Sequence, residues 1–232
     1  VSKAVKDFYT ADLEEVVVND SLVYKNLLGA DLFGAEDQPA LVQYEENMPL
    51  FEAFFVESQC QKALEEKVWL KSGGFLIIEE TEACAVIDVN SGKSAGKGDL
   101  EKTALRINLE AAKEAAKQIR LRNLSGIIII DFIDMNQEES KNVLKKALAE
   151  AVVKDRIKTI VVGMTELGLM QVTRKKTRPS LSRQMTTKCR SCEGSGRLPS
   201  IAWTIVKMRK EVEAILADTM YNGVMVEADQ RL

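Results

Sequence analysis

Two short polar clusters follow apolar runs of the sequence and carry residue types that bind hard metal ions. Asp88 and Asn90 lie two positions apart in AVIDVN, and Asp131 and Asp134 follow the consecutive isoleucines of IIIIDFID. On a strand, Asp88 and Asn90 would share one face and could converge on one ion. Carboxylate and amide oxygens suit Mg²⁺ or Mn²⁺. The same aspartates are as readily explained as caps of the following turns and helices, so the residue pattern leaves both interpretations open.

The segment after Asn90 resembles the end of a phosphate-binding loop, because it reads Gly92-Lys93-Ser94. The motif G-x-x-x-x-G-K-[ST] needs its first glycine where this chain has Ile87. A helix should also begin directly after the motif, but AGKGD intervenes. The sequence therefore disfavours a nucleotide-binding loop.

Histidine is absent from the 232 residues, so the commonest general base and metal ligand is missing. Any catalysis must rest on carboxylates, lysine, cysteine or a hard metal ion. Cys60 and Cys84 lie in apolar surroundings and are predicted to be core residues. Cys189 and Cys192 form a Cys-x-x-Cys pair in a basic loop rather than at a helix start, which disfavours a redox motif.

A basic stripe lies within a chain of net charge −3. No acidic residue occurs from Leu167 to Cys192. The basic residues of this segment are Arg174, Lys175, Lys176, Arg178, Arg183, Lys188 and Arg190. Such a stripe is typical of a protein that binds a polyanion such as nucleic acid. The alternative is a solvated loop whose charges serve solubility.

The elements that would position these residues alternate between strands and helices. FLIIEETEACAVIDV predicts a hairpin, and IIIIDFIDM predicts a strand buried on both faces. A long helix capped by Asp99 should lie between them, and a second helix should begin with a capping box of Asn136 and Glu139. IKTIVVGMT and LGLMQVTRKK predict further strands. This order favours a layered α/β or α+β fold.

The flanking segments are predicted from shorter patterns. EEVVVND favours a strand, PLFEAFFVESQCQKALEEKVWL one helix, and IAWTIVKMRKEVEAILAD an amphipathic helix. The composition, 46% hydrophobic and 29% charged, is that of an ordinary soluble globular protein. No apolar run is long enough to predict a membrane span. The chain opens on Val1 rather than Met, which suggests a piece of a longer protein.

Four segments closely resemble successive motifs of the ribonuclease E/G family of bacterial and plastid endoribonucleases. They are TEACAVIDVNSGK, NLEAAKEAAKQIRLRNLSGIIIIDFIDM, GLMQVTRKKTRPSL and CRSCEGSG. The resemblance runs over essentially the whole chain and is strongest from 72 to 198. It implies a cytoplasmic bacterial protein, with a plastid homologue as the other source.

The resemblance also implies a domain organisation within the α/β (α+β) class. Residues 1–63 are similar to a ribonuclease H-like segment, and 64–185 to a deoxyribonuclease I-like catalytic subdomain. Residues 186–199 resemble a zinc link, and 200–232 the start of a small dimerisation domain. The family's N-terminal oligonucleotide-binding domain has no counterpart here, so we expect a catalytic-region fragment that lacks it.

In the family, two aspartates hold Mg²⁺ and an asparagine assists the first. The matching motifs place these roles on Asp88, Asp131 and Asn90, with Asp134 as a structural or supporting residue. The resemblance implies that a metal-bound water attacks the phosphodiester and leaves a 5′-phosphate and a 3′-hydroxyl. The expected RNA contacts are Lys93, Arg174, Lys175, Lys176 and Arg178.

Cys189 and Cys192 match the family's zinc link. A tetrahedral Zn²⁺ site needs four ligands, and this chain offers two thiolates and no histidine. In the family the other two ligands come from a second protomer. The resemblance therefore implies a homodimer joined by Zn²⁺, with a tetramer left open. Arg190 stands where the family commonly has proline, which removes no ligand.

Two functions follow from these expectations. The first is a Mg²⁺-dependent endoribonuclease that cleaves single-stranded RNA in RNA processing and mRNA decay. The second is a non-catalytic RNA-binding or scaffold fragment that keeps the fold but lacks activity without its N-terminal RNA-binding domain. A nucleotide-using enzyme is disfavoured by Ile87.

Overall fold

The structure is a computed structural model that describes Val5 and residues 13–30, 39–92, 100–217, 220 and 223–227. The chain forms two compact units, Val1–Gln184 and Met185–Leu232. In the described parts of the chain, no helix is both long and apolar enough to cross a membrane. The predicted helix cap Asp99 lies outside the described residues.

A two-stranded parallel sheet begins the first unit. Strand β1 (Glu15–Val18) pairs with strand β2 (Ala40–Gln43), and helix α1 (Ser21–Leu28) lies between them in the chain. Asp20 caps this helix by accepting a hydrogen bond from the backbone N–H of Val23 at 2.8 Å, as aspartate commonly does at this position. The strand predicted from EEVVVND is therefore confirmed.

Two short helices and a strand replace the single helix predicted from PLFEAFFVESQCQKALEEKVWL. Helix α2 spans Leu50–Ala53, helix α3 spans Val56–Lys62, and strand β3 spans Lys67–Trp69. Phe55 has a φ of 56°, in the left-handed region, which interrupts the helical path between α2 and α3. The last part becomes a strand because it pairs with a neighbouring strand, and this pairing overrides the local pattern.

A six-stranded mixed sheet forms the centre of the first unit. The remaining strands are β4 (Phe75–Glu80), β5 (Cys84–Asn90), β6 (Gly126–Asp131), β7 (Thr159–Met164) and β8 (Leu169–Arg174). Their order is β3-β4-β5-β6-β8-β7, with β5 and β6 parallel and the other neighbours antiparallel. Helix α4 (Leu100–Leu121) provides the crossover that a parallel pair requires. The predicted hairpin, long helix and later strands are confirmed.

The helices pack on one face of this sheet. Ile87, Ile128 and Ile130 are fully buried and form one apolar core with residues of α4 and of helix α5 (Glu138–Val152). Ile127, which points to the other face, is 53% exposed. The prediction that IIIIDFIDM is buried on both faces is therefore wrong. Side chains alternate between the two faces of the sheet, and the helices cover the face to which Ile128 and Ile130 point, opposite to Ile127.

Helix α5 begins without the predicted capping box of Asn136 and Glu139. Its N-cap is Gln137, whose side chain makes no capping hydrogen bond. Instead, the carboxylate of Glu101 in α4 accepts hydrogen bonds from the backbone N–H groups of Asn136 and Gln137 at 3.0 and 3.2 Å. Glu101 thus takes the part predicted for Glu139, which was to accept the N–H of Asn136.

The second unit contains one long described helix. After the short helix α6 (Leu181–Met185), helix α7 spans Ile201–Leu216 and is capped by Ser200, which accepts the N–H of Trp203 at 3.2 Å. No residue of α7 is buried. The helix predicted from IAWTIVKMRKEVEAILAD is confirmed over Ile201–Leu216.

Candidate active site

Asp88 and Asp131 are direct neighbours on the open face of the six-stranded sheet. They are register partners in the parallel pair of β5 and β6, and adjacent strands lie about 4.8 Å apart. Both side chains point away from the helices, because Ile87 and Ile130 immediately before them are buried in the core. The register thus brings together residues from two separate polar clusters of the sequence.

Asn90 holds the carboxylate of Asp88 in one orientation. Its Nδ2 donates a hydrogen bond to Asp88 Oδ2 at 2.7 Å. The two side chains lie on the same face because they are two residues apart on one strand. The residues predicted for the metal site, Asp88, Asn90 and Asp131, therefore share one small surface.

Two further carboxylates act on the charge of Asp131. Burial raises the pKa of Asp131, and the negative charges of Asp88 and Asp134 raise it further. A divalent cation would relieve this repulsion and favour the ionised carboxylates. Among the described residues, no group of three or more His, Cys, Asp or Glu side chains could hold a metal ion. An ion here would therefore rest on two carboxylates and keep several waters, an arrangement that suits Mg²⁺.

Gly92 holds the end of β5 close to the turn between β3 and β4. Its φ is +59°, and an added Cβ would collide with the carbonyl oxygen of Gly73. A Cβ on Gly74 would lie 2.7 Å from the carbonyl oxygen of Asn90. The glycine of the Gly-Lys-Ser sequence therefore serves close backbone packing beside Asn90. Lys93, predicted to contact RNA, lies outside the described residues.

Glu110 of α4 holds the same turn from the helix side. Its carboxylate accepts hydrogen bonds from the backbone N–H groups of Lys71 at 2.6 Å and Ser72 at 3.2 Å. Burial would raise the pKa of Glu110, but hydrogen bonds from Ser72 and Lys71 and the charge of Lys71 lower it overall. Sequence reasoning missed Glu110 because its partners lie 38 and 39 residues away.

Asn108 anchors the loop that follows Asp131. This fully buried side chain donates a hydrogen bond from Nδ2 to the carbonyl oxygen of Ile133 at 2.8 Å. Its Oδ1 accepts one from the N–H of Ile133 at 3.0 Å. Both bonds fix the backbone between Asp131 and Asp134. The sequence showed Asn108 only as a polar residue within an apolar helix face.

Arg174 lies in the core and not in an RNA-binding stripe. Its side chain is 2% exposed, and Nε donates to Asp155 Oδ2 at 2.6 Å. Nη1 donates to Asn123 Oδ1 at 2.7 Å and to the carbonyl oxygen of Leu124 at 3.1 Å. The prediction that Arg174 contacts RNA is therefore wrong. Side chains alternate along β8, so Arg174 lies on the buried side of the strand with Val172. There its guanidinium binds the segment before β6 and the segment before β7.

The neighbouring cations Lys175, Lys176 and Arg178 are exposed. They follow the end of β8 that pairs with Gly126, whereas Asp131 is at the opposite end of β6. At about 3.3 Å per residue, the length of β6 separates the two ends by about 17 Å. The structure therefore does not place these cations beside the carboxylates.

Cys189 and Cys192 lie in the second unit, before α7. The N–H of Gly196 donates a hydrogen bond to Cys192 Sγ at 3.3 Å. The pKa of the Cys192 thiol is lowered by the N–H groups of Gly194 and Gly196, and the Cys189 thiol adds to this effect. A lowered pKa favours the thiolate, which is the metal-binding form. Cys60 and Cys84, predicted as core residues, are half-buried.

The fold and this acidic surface describe a mixed α/β protein with an open, carboxylate-bearing sheet face. The chain belongs to the ribonuclease E/G family, whose model matches residues 1–177. The matched range contains Asp88, Asn90 and Asp131, and it ends before the two cysteines of the second unit.

Curated relatives agree with this assignment. The chain is 41% identical over 211 residues to ribonuclease G of Haemophilus influenzae, covering 90% of this chain and 43% of that protein. It is 40% identical over 211 residues to ribonuclease G of Escherichia coli, with the same coverage. It is 35% identical over 222 residues to a chloroplastic ribonuclease E/G-like protein of Arabidopsis thaliana, covering 94% of this chain and 22% of that protein. The chain thus spans less than half the length of these relatives.

Proposed function

We propose that this chain is the catalytic region of a Mg²⁺-dependent endoribonuclease that cleaves single-stranded RNA. The register pair of Asp88 and Asp131, oriented through Asn90, is the observation that carries the proposal. The relatives named ribonuclease G and ribonuclease E support the reaction class. Because the chain covers 43% of the ribonuclease G relatives, the activity, substrate and partners of the whole protein belong to the proposal.

In this proposal, Asp88 and Asp131 would hold Mg²⁺ or Mn²⁺. When bound, the ion would polarise the scissile phosphate and lower the pKa of an attacking water. The chain's own contribution is placement: β5 and β6 set the separation of the carboxylates, and Asn90 restricts the rotation of Asp88. Rigid strands suit this role because a catalytic group must keep its geometry within a fraction of an ångström. Family resemblance supports products with a 5′-phosphate and a 3′-hydroxyl.

We extend the proposal to the organisation of the first unit. The two-stranded β1–β2 sheet would belong to a ribonuclease H-like segment over 1–63, and the six-stranded sheet to a deoxyribonuclease I-like subdomain over 64–185. The separate sheets support such a subdivision.

Lys175, Lys176 and Arg178 are proposed to contact RNA phosphates away from the cleavage site. Their exposure supports this role, and such contacts add affinity without reading sequence. An RNA strand that reaches both these cations and the carboxylates would have to follow the sheet for about 17 Å.

The cysteine pair is proposed to bind Zn²⁺ between two chains. The backbone N–H groups that lower the pKa of Cys192 support a thiolate ligand. Two thiolates from each chain would complete a tetrahedral site, making the protein a homodimer. Further pairing into a tetramer is compatible with this arrangement.

The nuclease proposal is tested with Asp88→Asn and Asp131→Asn, which keep side-chain size but remove charge. Each should lower Mg²⁺-dependent cleavage of a single-stranded RNA by about 100-fold or more while the protein stays folded. Glu138→Gln is the matched control, because this exposed carboxylate lies on α5 and pairs with Lys141. Undiminished cleavage in either aspartate variant would refute the site. Salt-sensitive RNA binding without any cleavage by the unsubstituted protein would support the non-catalytic alternative.

The zinc proposal is tested by metal content and molecular mass in solution. We expect about one Zn²⁺ per two chains in a dimer, since each chain supplies two of four ligands. Cys192→Ser should lose both the metal and the dimer, whereas Cys60→Ser, in the first unit, should keep them. A zinc-free dimer would contradict the shared site.

A further inference from the structure

An exposed aromatic pair lies on the same sheet face as the carboxylate pair. Trp69 of β3 is 64% exposed. Its ring meets that of Phe75 edge to face, with the ring centroids 5.3 Å apart. An indole left this open on a sheet is a large apolar surface in water, and such surfaces commonly mark binding sites.

Lys67 adds a positive charge to the aromatic pair. Its Nζ lies 3.9 Å from the ring centroid of Trp69 and 3.7 Å from that of Phe75. Cation–π attraction to both rings holds the ammonium group over one face of the Trp69 ring, so a base would stack on the opposite face. Lys67, Trp69 and Phe75 together form what we call the Trp69 platform.

Strand register places the Trp69 platform beside the acidic site. Trp69 pairs with Phe75, and Phe75 pairs with Asn90, so these three side chains form one row across the sheet. Lys67 of β3 and Asp88 of β5 also lie in one row across the sheet, with β4 between them, and this row is parallel to that of Trp69 and Asn90. Two strand spacings, about 10 Å, separate the backbone of Trp69 from that of Asn90. This distance puts the platform within reach of a nucleotide next to a phosphodiester at the carboxylates.

We propose that the Trp69 platform is a stacking subsite for a base of the single-stranded RNA whose phosphodiester lies at Asp88 and Asp131. This inference rests on the proposed function, since it takes its occupant to be RNA. Every base offers a flat face to an indole, so the subsite accepts different sequences, while a duplex hides those faces. The positive charge of Lys67 complements the negative charge of RNA phosphates. It would add nothing to a contact with an apolar protein surface, so the charge favours RNA as the occupant. The platform therefore selects single strands and helps to fix which bond meets the carboxylates.

The test measures RNA binding without divalent cations, so that binding is observed apart from cleavage. The chain has two tryptophans, and Trp203→Phe leaves Trp69 as the one reporter. Stacking should quench the fluorescence of Trp69 when a single-stranded oligoribonucleotide is added, and a duplex of the same sequence should quench it less. Trp69→Ala should weaken binding of the single strand about tenfold, and Trp69→Phe should restore most of the affinity.

An abasic oligoribonucleotide separates stacking from phosphate contacts. Trp69→Ala should leave its affinity unchanged, because no base is present to stack. Phe51→Ala is the control, since it removes another exposed aromatic, 59% exposed, on α2. An equal loss of affinity for base-containing and abasic RNA, or no quenching, would overturn the subsite. A change of molecular mass in Trp69→Ala with RNA affinity unchanged would do the same and identify a protein contact. If RNA quenches the fluorescence of Trp69 but the protein does not cleave RNA, the proposed nuclease function is refuted and the Trp69 platform is still supported.

Discussion

Asn90 and Asp88 are joined by a hydrogen bond of 2.7 Å between residues two positions apart on one strand. The same backbone segment is held by the turn between β3 and β4, because the carbonyl oxygen of Asn90 packs against Gly74 and Gly92 packs against the carbonyl oxygen of Gly73. The orientation of one carboxylate thus depends on an amide whose own backbone is tightly enclosed. This arrangement makes Asn90 a positioning residue in the proposed reaction.

Asn90→Ala should lower Mg²⁺-dependent cleavage about 10- to 100-fold, the usual effect of losing a group that orients a metal ligand. The Mg²⁺ concentration needed for half-maximal rate should rise, because Asp88 becomes free to rotate. Steady-state cleavage over a range of Mg²⁺ concentrations checks both effects. Asn26→Ala, on the exposed side of α1, should leave them unchanged. A fall in rate with no change in Mg²⁺ dependence would argue against the orienting role.

Arg174→Met should destabilise the fold by about 3–5 kcal/mol, because it leaves Asp155 as an uncompensated buried charge. The RNA affinity of the folded protein should not change, since the guanidinium is enclosed. Urea unfolding and RNA titration measure the two quantities separately. Lys175→Met is the control next in sequence, and we expect it to change stability little and to weaken RNA binding in a salt-dependent manner. Weaker RNA binding with unchanged stability in Arg174→Met would instead show that Arg174 contacts RNA.

The Asp155–Arg174 pair should also make stability depend on pH. Burial alone would raise the pKa of Asp155, but hydrogen bonds from Arg174, Ile157 and Thr159 and the charge of Arg174 lower it overall. Its pKa in the folded protein therefore lies below the unfolded value of about 3.9. The stabilisation is complete above that value and is lost as the pH falls through the folded pKa.

Asp155→Asn should accordingly be less stable than the unsubstituted protein at neutral pH, and the gap should narrow below about pH 4. Urea midpoints at a series of pH values measure the gap. Glu150→Gln, an exposed carboxylate on α5, is the comparison. A gap that stays constant on acidification would show that the carboxylate of Asp155 does not gain its stability from ionisation.

Gly92→Ala should cost more stability than Gly168→Ala, although both glycines have positive φ, +59° and +85°. A Cβ at Gly168 meets nothing within 4 Å, so that variant reports backbone strain alone, about 1–2 kcal/mol. A Cβ at Gly92 also meets the Gly73 carbonyl, and the resulting shift should displace Asn90 and lower cleavage. Urea unfolding and RNA cleavage of the two variants make the comparison. Equal losses would show that the close approach to Gly73 is unimportant.

The part of the site that the sequence predicted depends on local periodicity. Alternation in AVIDVN places Asp88 and Asn90 on one face, and the two apolar runs predict the strands that carry Asp88 and Asp131. That β5 and β6 are adjacent and in this register depends on packing across the whole sheet, which the sequence leaves open. Before the structure, only the family resemblance implied that Asp88 and Asp131 lie together, and the structure shows them as register partners.

The failed predictions for Arg174 and for the cap of α5 share a physical cause, which is contact between distant segments. Arg174 belongs to a run of basic residues by sequence, but its partner Asp155 follows a helix 19 residues earlier. The capping residues Asn136 and Glu139 are correctly placed for a local cap, yet a carboxylate from α4 takes that role. Local patterns cannot reveal such replacements, because nothing near these residues differs from the expected motif.

Asn108 binds the main chain of Ile133 through both its donor and its acceptor. Because every amino acid except proline offers the same N–H and C=O groups, the bond does not depend on which side chain stands at position 133. The side chains of this loop are constrained separately, because Phe132 and Met135 are buried in the core and Ile133 packs against it. Position 108 is constrained by its hydrogen bonds, since few side chains present a donor and an acceptor together in a fully buried place. We expect homologous chains to keep asparagine at 108 and an apolar residue at 133.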